Sequence, residues 1–180
     1  MATYVGLLRA INLGSVNKIS MPALRTTLED LGYGNVRTYV QSGNVVFDAP
    51  RTSHSTLSSQ IERAISSTFG HDISVIVRKG SDLERVVSGN PFATEDVLPL
   101  ALHVVFLAHS APAKAVKALD PAKWLPDKFE VRGAEVYLFL PTGMGRSKMS
   151  ISYFEKALSI RGTARNWNTV NKLRDLVAER

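Results

Sequence analysis

The spacing of apolar residues over the first 78 positions changes period in a fixed order, and few folds accept that order. Tyr4 to Ile11 is almost continuously apolar, as in a strand covered on both faces, with Arg9 set into it. A polar loop, Asn12 to Lys18, follows. Met21, Leu24, Leu28 and Leu31 then recur at helical spacing; Ser20 is placed to cap that helix, Pro22 suits its first turn and Gly32 its stop. Val36, Thr38 and Val40 alternate before Gln41-Ser42-Gly43-Asn44, and Val45 and Phe47 alternate after it, which predicts a hairpin turning at Ser42-Gly43. Pro50 breaks the second arm. Leu57, Ile61, Ala64, Ile65 and Phe69 share one face of a helix over about 55–69, ended by Gly70, and Ile73, Val75 and Val77 supply a fourth strand. Strand, helix, strand, strand, helix, strand is the ferredoxin-like split βαβ order.

The rest of the chain repeats much of this. Ser81-Asp82-Leu83-Glu84 is a capping box opening a short helix. The acidic, Pro-containing stretch from Asn90 to Pro99 is the linker candidate. Leu100 to Leu107 reads as a strand, Pro112 opens a helix, and Phe129–Val131 with Glu135–Leu140 form a hairpin about Arg132-Gly133-Ala134. Val40 to Val45 aligns with Val131 to Val136, and in both segments a Pro stands ten positions after the first Val (Pro50, Pro141), as a diverged internal duplication would leave. Two helices close the chain, one over about 147–160 and one capped by Asn168. The expected architecture is α+β: a ferredoxin-like subdomain over 1–80, a short helix and linker over 81–99, and a second, related α+β subdomain with two C-terminal helices over 100–180.

Cys is absent, which excludes disulfides, thiolate chemistry and Cys-based metal sites. No apolar run reaches the ~18 residues of a membrane span, and the first residues lack a secretion signal, so a cytoplasmic protein with no membrane partner is expected. His54, His71, His103 and His109 show no ligand-spaced pair, no hydrolase elbow is present, and the carboxylates do not cluster as an acid/base pair; no metal or cofactor is implied. The formal charge is +6. From Gly145 to Arg180 eight basic side chains face three acidic ones, a section that favours anionic partners.

Three segments could mount chemistry. Arg9 and Asn12 lie at the end of the first strand, where a guanidinium must find water, a carboxylate or a bound anion. Pro141 to Lys148 is a Gly-bearing strand-to-helix loop with Arg146, Ser147 and Lys148, similar to a phosphate cradle but without P-loop spacing. Arg161 to Thr169 reads as an inter-helix loop in which Arg165, Asn166 and Asn168 flank Trp167, a set of donors beside an aromatic.

Leu7-Leu8-Arg9-Ala10-Ile11-Asn12, Tyr39-Val40-Gln41-Ser42-Gly43-Asn44-Val45-Val46-Phe47, Arg146-Ser147-Lys148 and Arg165-Asn166-Trp167-Asn168-Thr169-Val170 together resemble a bacterial family of unknown function. The resemblance implies two α+β subdomains, the first ferredoxin-like, and no reaction or cofactor. The family usually carries Gly after the first-strand Arg and again in the loop beyond it; this chain has Ala10 and Ser15, whose Cβ atoms would narrow a close approach there.

The functional expectation is a small anionic or phosphorylated ligand held by Arg9, Asn12, Ser42, Asn44, Arg146, Ser147, Lys148, Arg165, Asn166 and Asn168 from several loops. Nucleic-acid binding through the basic surface is the first alternative, weakened by the lack of paired stacking aromatics on the middle strands. A protein-interaction or oligomerisation module is the second.

Overall fold

A computed structural model describes all residues, 1–180. The chain divides into two compact units, one of residues 1–85 and 173–180, the other of residues 86–172.

The first unit runs β1 (Ala2–Leu8), α1 (Met21–Asp30), β2 (Gly34–Tyr39), β3 (Asn44–Ala49), α2 (His54–Phe69), β4 (Val75–Lys79) and the start of α3 (Asp82–Ser88). The strands form one antiparallel sheet in the order β2-β3-β1-β4. The helix signals act locally. Ser20 Oγ accepts from the Ala23 amide and Ser53 Oγ from the Thr56 amide, while Gly70 closes α2 at φ +70°. Tyr4, Leu8, Val45, Phe47, Val75 and Val77 pack with Leu24 and Leu28 of α1 and Leu57, Ile61 and Ile65 of α2 in one buried cluster. Tyr33 stacks on Phe47 at 4.9 Å between ring centroids.

The second unit contains β5 (Leu102–Leu107), α4 (Ala113–Lys117), β6 (Lys128–Arg132), β7 (Glu135–Phe139), α5 (Ile151–Leu158) and β8 (Gly162–Asn166). Its antiparallel sheet has the order β6-β7-β5-β8, the first unit's order with each strand replaced by its counterpart. α6 (Trp167–Ala178) begins in this unit and ends in the first. Register carries the duplication to single residues. Val5 of β1 lies between Val46 and Arg78; Val104 of β5 lies between Tyr137 and Arg165. Leu7 is opposite Asn44, and Phe106 opposite Glu135.

Five local expectations change. β1 ends at Leu8, so Arg9 follows the strand rather than lying in it. β2 ends at Tyr39, and the turn is the four residues 40–43, with Val40 at φ +51° and Gly43 at φ +82°. Gly43 has no room for a side chain, since a Cβ there would stand 2.7 Å from Leu8 Cβ: the turn bends tightly over the end of β1. The helix expected from Ser147 begins instead at Ile151, where Ser150 Oγ accepts from the Tyr153 amide. Residues 162–166 of the expected inter-helix loop are β8, which completes the second sheet. Asn166, not Asn168, caps α6, accepting from the Thr169 amide at 2.9 Å.

Candidate functional site

In the first unit, Asn12 joins two of the sequence-marked loops. Its Nδ2 donates to Ile19 O at 3.0 Å and to Gln41 O at 2.8 Å, and its Oδ1 accepts from the Ile19 amide at 2.9 Å. One side chain therefore closes the 12–19 loop and pins it to the 40–43 turn. Asn44 is fully buried; its Nδ2 donates to Tyr39 O at 2.9 Å and to Ser42 Oγ at 3.0 Å, fastening the hairpin turn from inside. Arg9 is half-buried, and its amide donates to Ser74 O. Ala10, Asn12, Asn17 and Val40 all hold positive φ in this loop pair. Ala10 stands at φ +54°, exposed, in the left-handed region that favours Gly.

In the second unit, Arg165 lies on β8 with its side chain buried, donating to Thr163 Oγ1 and Ala164 O at 2.8 Å each. Burial lowers its pKa to about 10. Arg78, its counterpart on β4, is also buried and donates to Val77 O at 3.0 Å. Asn166 is occupied as the α6 cap, and Asn168 is exposed on the first turn.

Arg146, Ser147 and Lys148 are brought together. They line a cavity of about 440 Å³ with Thr142 and with Lys123, Trp124, Leu125, Pro126 and Asp127 from the segment that leads into β6. That volume lies within the usual range for small-ligand sites. The loop is held by its own backbone: Gly143 donates to Leu140 O at 2.9 Å, and the Arg146 and Ser147 amides both donate to Gly143 O at 3.2 Å. These amides do not face outward as a phosphate cradle requires, so a bound anion would be held by side chains. Ser147 locks the two segments: its hydroxyl donates to Asp127 Oδ2 at 2.5 Å and accepts from the Met149 amide at 2.9 Å.

The cationic side chains remain. Arg146 and Lys148 are exposed and join no ion pair, and Lys123 Nζ sits 5.3 Å from the centroid of the Trp124 ring. Three cations face one carboxylate, that of Asp127, which is buried and already accepts from Ser147. Trp124 meets Tyr153 edge-on at 4.7 Å, and its buried Nε1 has no hydrogen-bond partner. Lys123 and Trp124 had no signal in the sequence, since a short apolar-and-basic run between two Pro residues reads as a connector.

The duplicated antiparallel sheets define a two-unit α+β protein, and no helix is long and apolar enough to cross a membrane. The chain belongs to the DUF1697 family, proteins of unknown function, whose family model matches residues 1–137. Its fold is similar to that of a conserved bacterial protein from Streptococcus pneumoniae, with a TM-score of 0.70, 21% sequence identity and 98% of each chain covered. No curated protein matches the chain.

Proposed function

We propose that this protein binds a small anionic ligand, a phosphorylated metabolite being the best fit, in the cavity walled by Lys123, Arg146 and Lys148. The observation that carries the reading is the set of three cations on one ligand-sized cavity with no ion pair among them. Cations gathered on one cavity raise the local concentration of anions there. Trp124 gives the cavity an aromatic wall. Its Nε1–H is a buried donor whose unmet bond costs about 1–3 kcal/mol, which a ligand acceptor would recover. Among the residues expected from sequence, the reading draws on Arg146, Ser147 and Lys148, and it adds Lys123 and Trp124.

A thermal-shift screen against phosphometabolites tests it. A ligand present at 100 times its Kd stabilises by about 2.7 kcal/mol, which raises the Tm of a chain this size by roughly 5–10 °C. Arg146→Ala and Lys148→Ala should each reduce that shift while leaving the Tm of the ligand-free protein within a degree. An unchanged shift in the double variant would place the ligand elsewhere.

A further inference from the structure

The first unit has a basic cavity of its own, of about 530 Å³. It lies where the loop between β3 and α2 meets the turn after β4. Arg51 and Thr52 come from that loop, Lys79 and Ser81 from the turn, Tyr4 from β1 and Val177 from α6. No carboxylate lines it. Arg51 and Lys79 are exposed and join no ion pair.

The mounting is rigid. The Gly80 amide, between Lys79 and Ser81, donates to Thr3 O at 2.8 Å. A Cβ on Gly80 would stand 2.7 Å from Val177 Cγ1, so α6 seats directly on this turn. On the other side, the cavity borders the positive end of α2, a 16-residue helix that starts two residues after Thr52. The duplication adds a further argument. The connection carrying Arg51 and Thr52 is the counterpart of the one carrying Thr142, Arg146 and Lys148, because Pro50 aligns with Pro141 and each connection runs from the third strand to the second helix of its sheet. In each half, the same connection bears a partnerless cation on a ligand-sized cavity.

We infer that the first unit holds a second ligand site, in which Arg51 and Lys79 bind the dianion of a small phosphate monoester, the Thr52 and Ser81 hydroxyls donate to its oxygens, and its carbon body lies against Ala2 and Val177, which also line the cavity. Two cations with no carboxylate suit a dianion better than a monoanion. The hydroxyls and the short apolar wall suit a compact polyol ester rather than a nucleotide base, for which this cavity offers no exposed aromatic face.

Two-dimensional amide NMR of the full chain, titrated with inorganic phosphate and with glycerol 3-phosphate at constant ionic strength, tests the inference. Saturable shifts are expected at Thr52, Lys79, Gly80 and Ser81. Arg51→Gln and Lys79→Gln should each weaken the fitted affinity about tenfold, and Lys79→Arg should restore most of it. Both positions are exposed, and an unchanged amide pattern in the ligand-free variants will show that they fold. Arg146→Gln should leave these four shifts unaltered and remove only those in 142–148, so the two sites can fail separately. The inference is overturned if the four amides shift equally with chloride, if their shifts never saturate, or if they persist in the Arg51→Gln/Lys79→Gln double variant.

Discussion

Asp48 and Arg180 stand 132 positions apart in the sequence, and their side chains meet at 2.7 Å. The Arg180 guanidinium also donates to Asn35 O and to Val46 O, so the end of α6's segment clasps the β2–β3 hairpin of the first unit. Burial alone would raise the Asp48 pKa, but hydrogen bonds from Asn35 and Thr3 and the charge of Arg180 outweigh it and hold the carboxyl below its ordinary value.

Arg180→Ala should therefore destabilise the protein by about 1–2 kcal/mol at neutral pH, since a mostly covered, charge-assisted set of bonds is lost. A carboxyl held below its unfolded value adds stability that is complete above that value and disappears as pH falls through the folded one. The gap between wild type and Arg180→Ala in urea midpoints should thus close in acid. A gap that stays constant to pH 2 would show that the packing of the Arg180 stem, not the ion pair, supplies the effect.

Val40 and Ala10 hold left-handed backbone that costs an L residue about 1–2 kcal/mol, and a β-branched side chain fits there worst. Val40 is 49% exposed, so its side chain contributes little packing in return. Val40→Gly should stabilise by about 1 kcal/mol after the added freedom of the unfolded chain is subtracted, and Ala10→Gly by somewhat less. Thermal melts should move up by about 2–4 °C for Val40→Gly. A fall instead would mean that the loop pair relaxes without these side chains.

Asn12 makes three side-chain hydrogen bonds from a left-handed position, so its truncation removes both loop closure and the link to the 40–43 turn. Asn12→Ala should cost about 2–3 kcal/mol. Asn12→Asp, nearly the same shape, keeps the bond from the Ile19 amide and loses both donations. Hydrogen exchange at the amide of position 12, which donates to Asn17 O, and at the Val16 amide, which donates to Leu13 O, should quicken in both variants. Phosphate-dependent shifts at 142–148 should be unchanged.

Burial holds the His103 imidazole below its ordinary value, and His54 is lowered by burial first and then by the charges of Arg78 and Lys79, against the opposing pull of Asp82. For such a group the unfolded chain takes up its proton first as pH falls past about 6.5, so stability is complete above that value and declines below it. Tm should hold nearly level above about pH 7 and fall from about pH 6.5 to 5.5, before the carboxylates begin to titrate. The double variant His54→Gln/His103→Gln should lose at least half of that slope.

Features governed by neighbours in sequence were legible. The Ser20 cap, the Gly70 stop and the alternation through Val45 and Phe47 each act over a few residues and read correctly. β8 did not, because Gly162-Thr163-Ala164-Arg165-Asn166 lacks apolar alternation, and only pairing with β5 makes it a strand. The helix expected from Ser147 starts later because the Ser147 hydroxyl bonds Asp127, 20 residues away, and Ser150 caps instead. The same distance hid the cavity: Arg146 and Lys148 stood out as charges on a loop, but nothing local announces that Lys123 and Trp124 fold beside them.

Because residues 173–180 belong to the first unit, synthesis and folding run out of step. The amino-terminal sheet can form while the ribosome is still translating the second half, but Gly80 stays uncovered and Asp48 lacks its clasp until the last turn of α6 emerges. A nascent chain halted before residue 173 should expose that surface to chaperones and proteases. Emergence of residues 173–180 should shut it, making their arrival, and not that of the first 85 residues, the event that closes the amino-terminal unit.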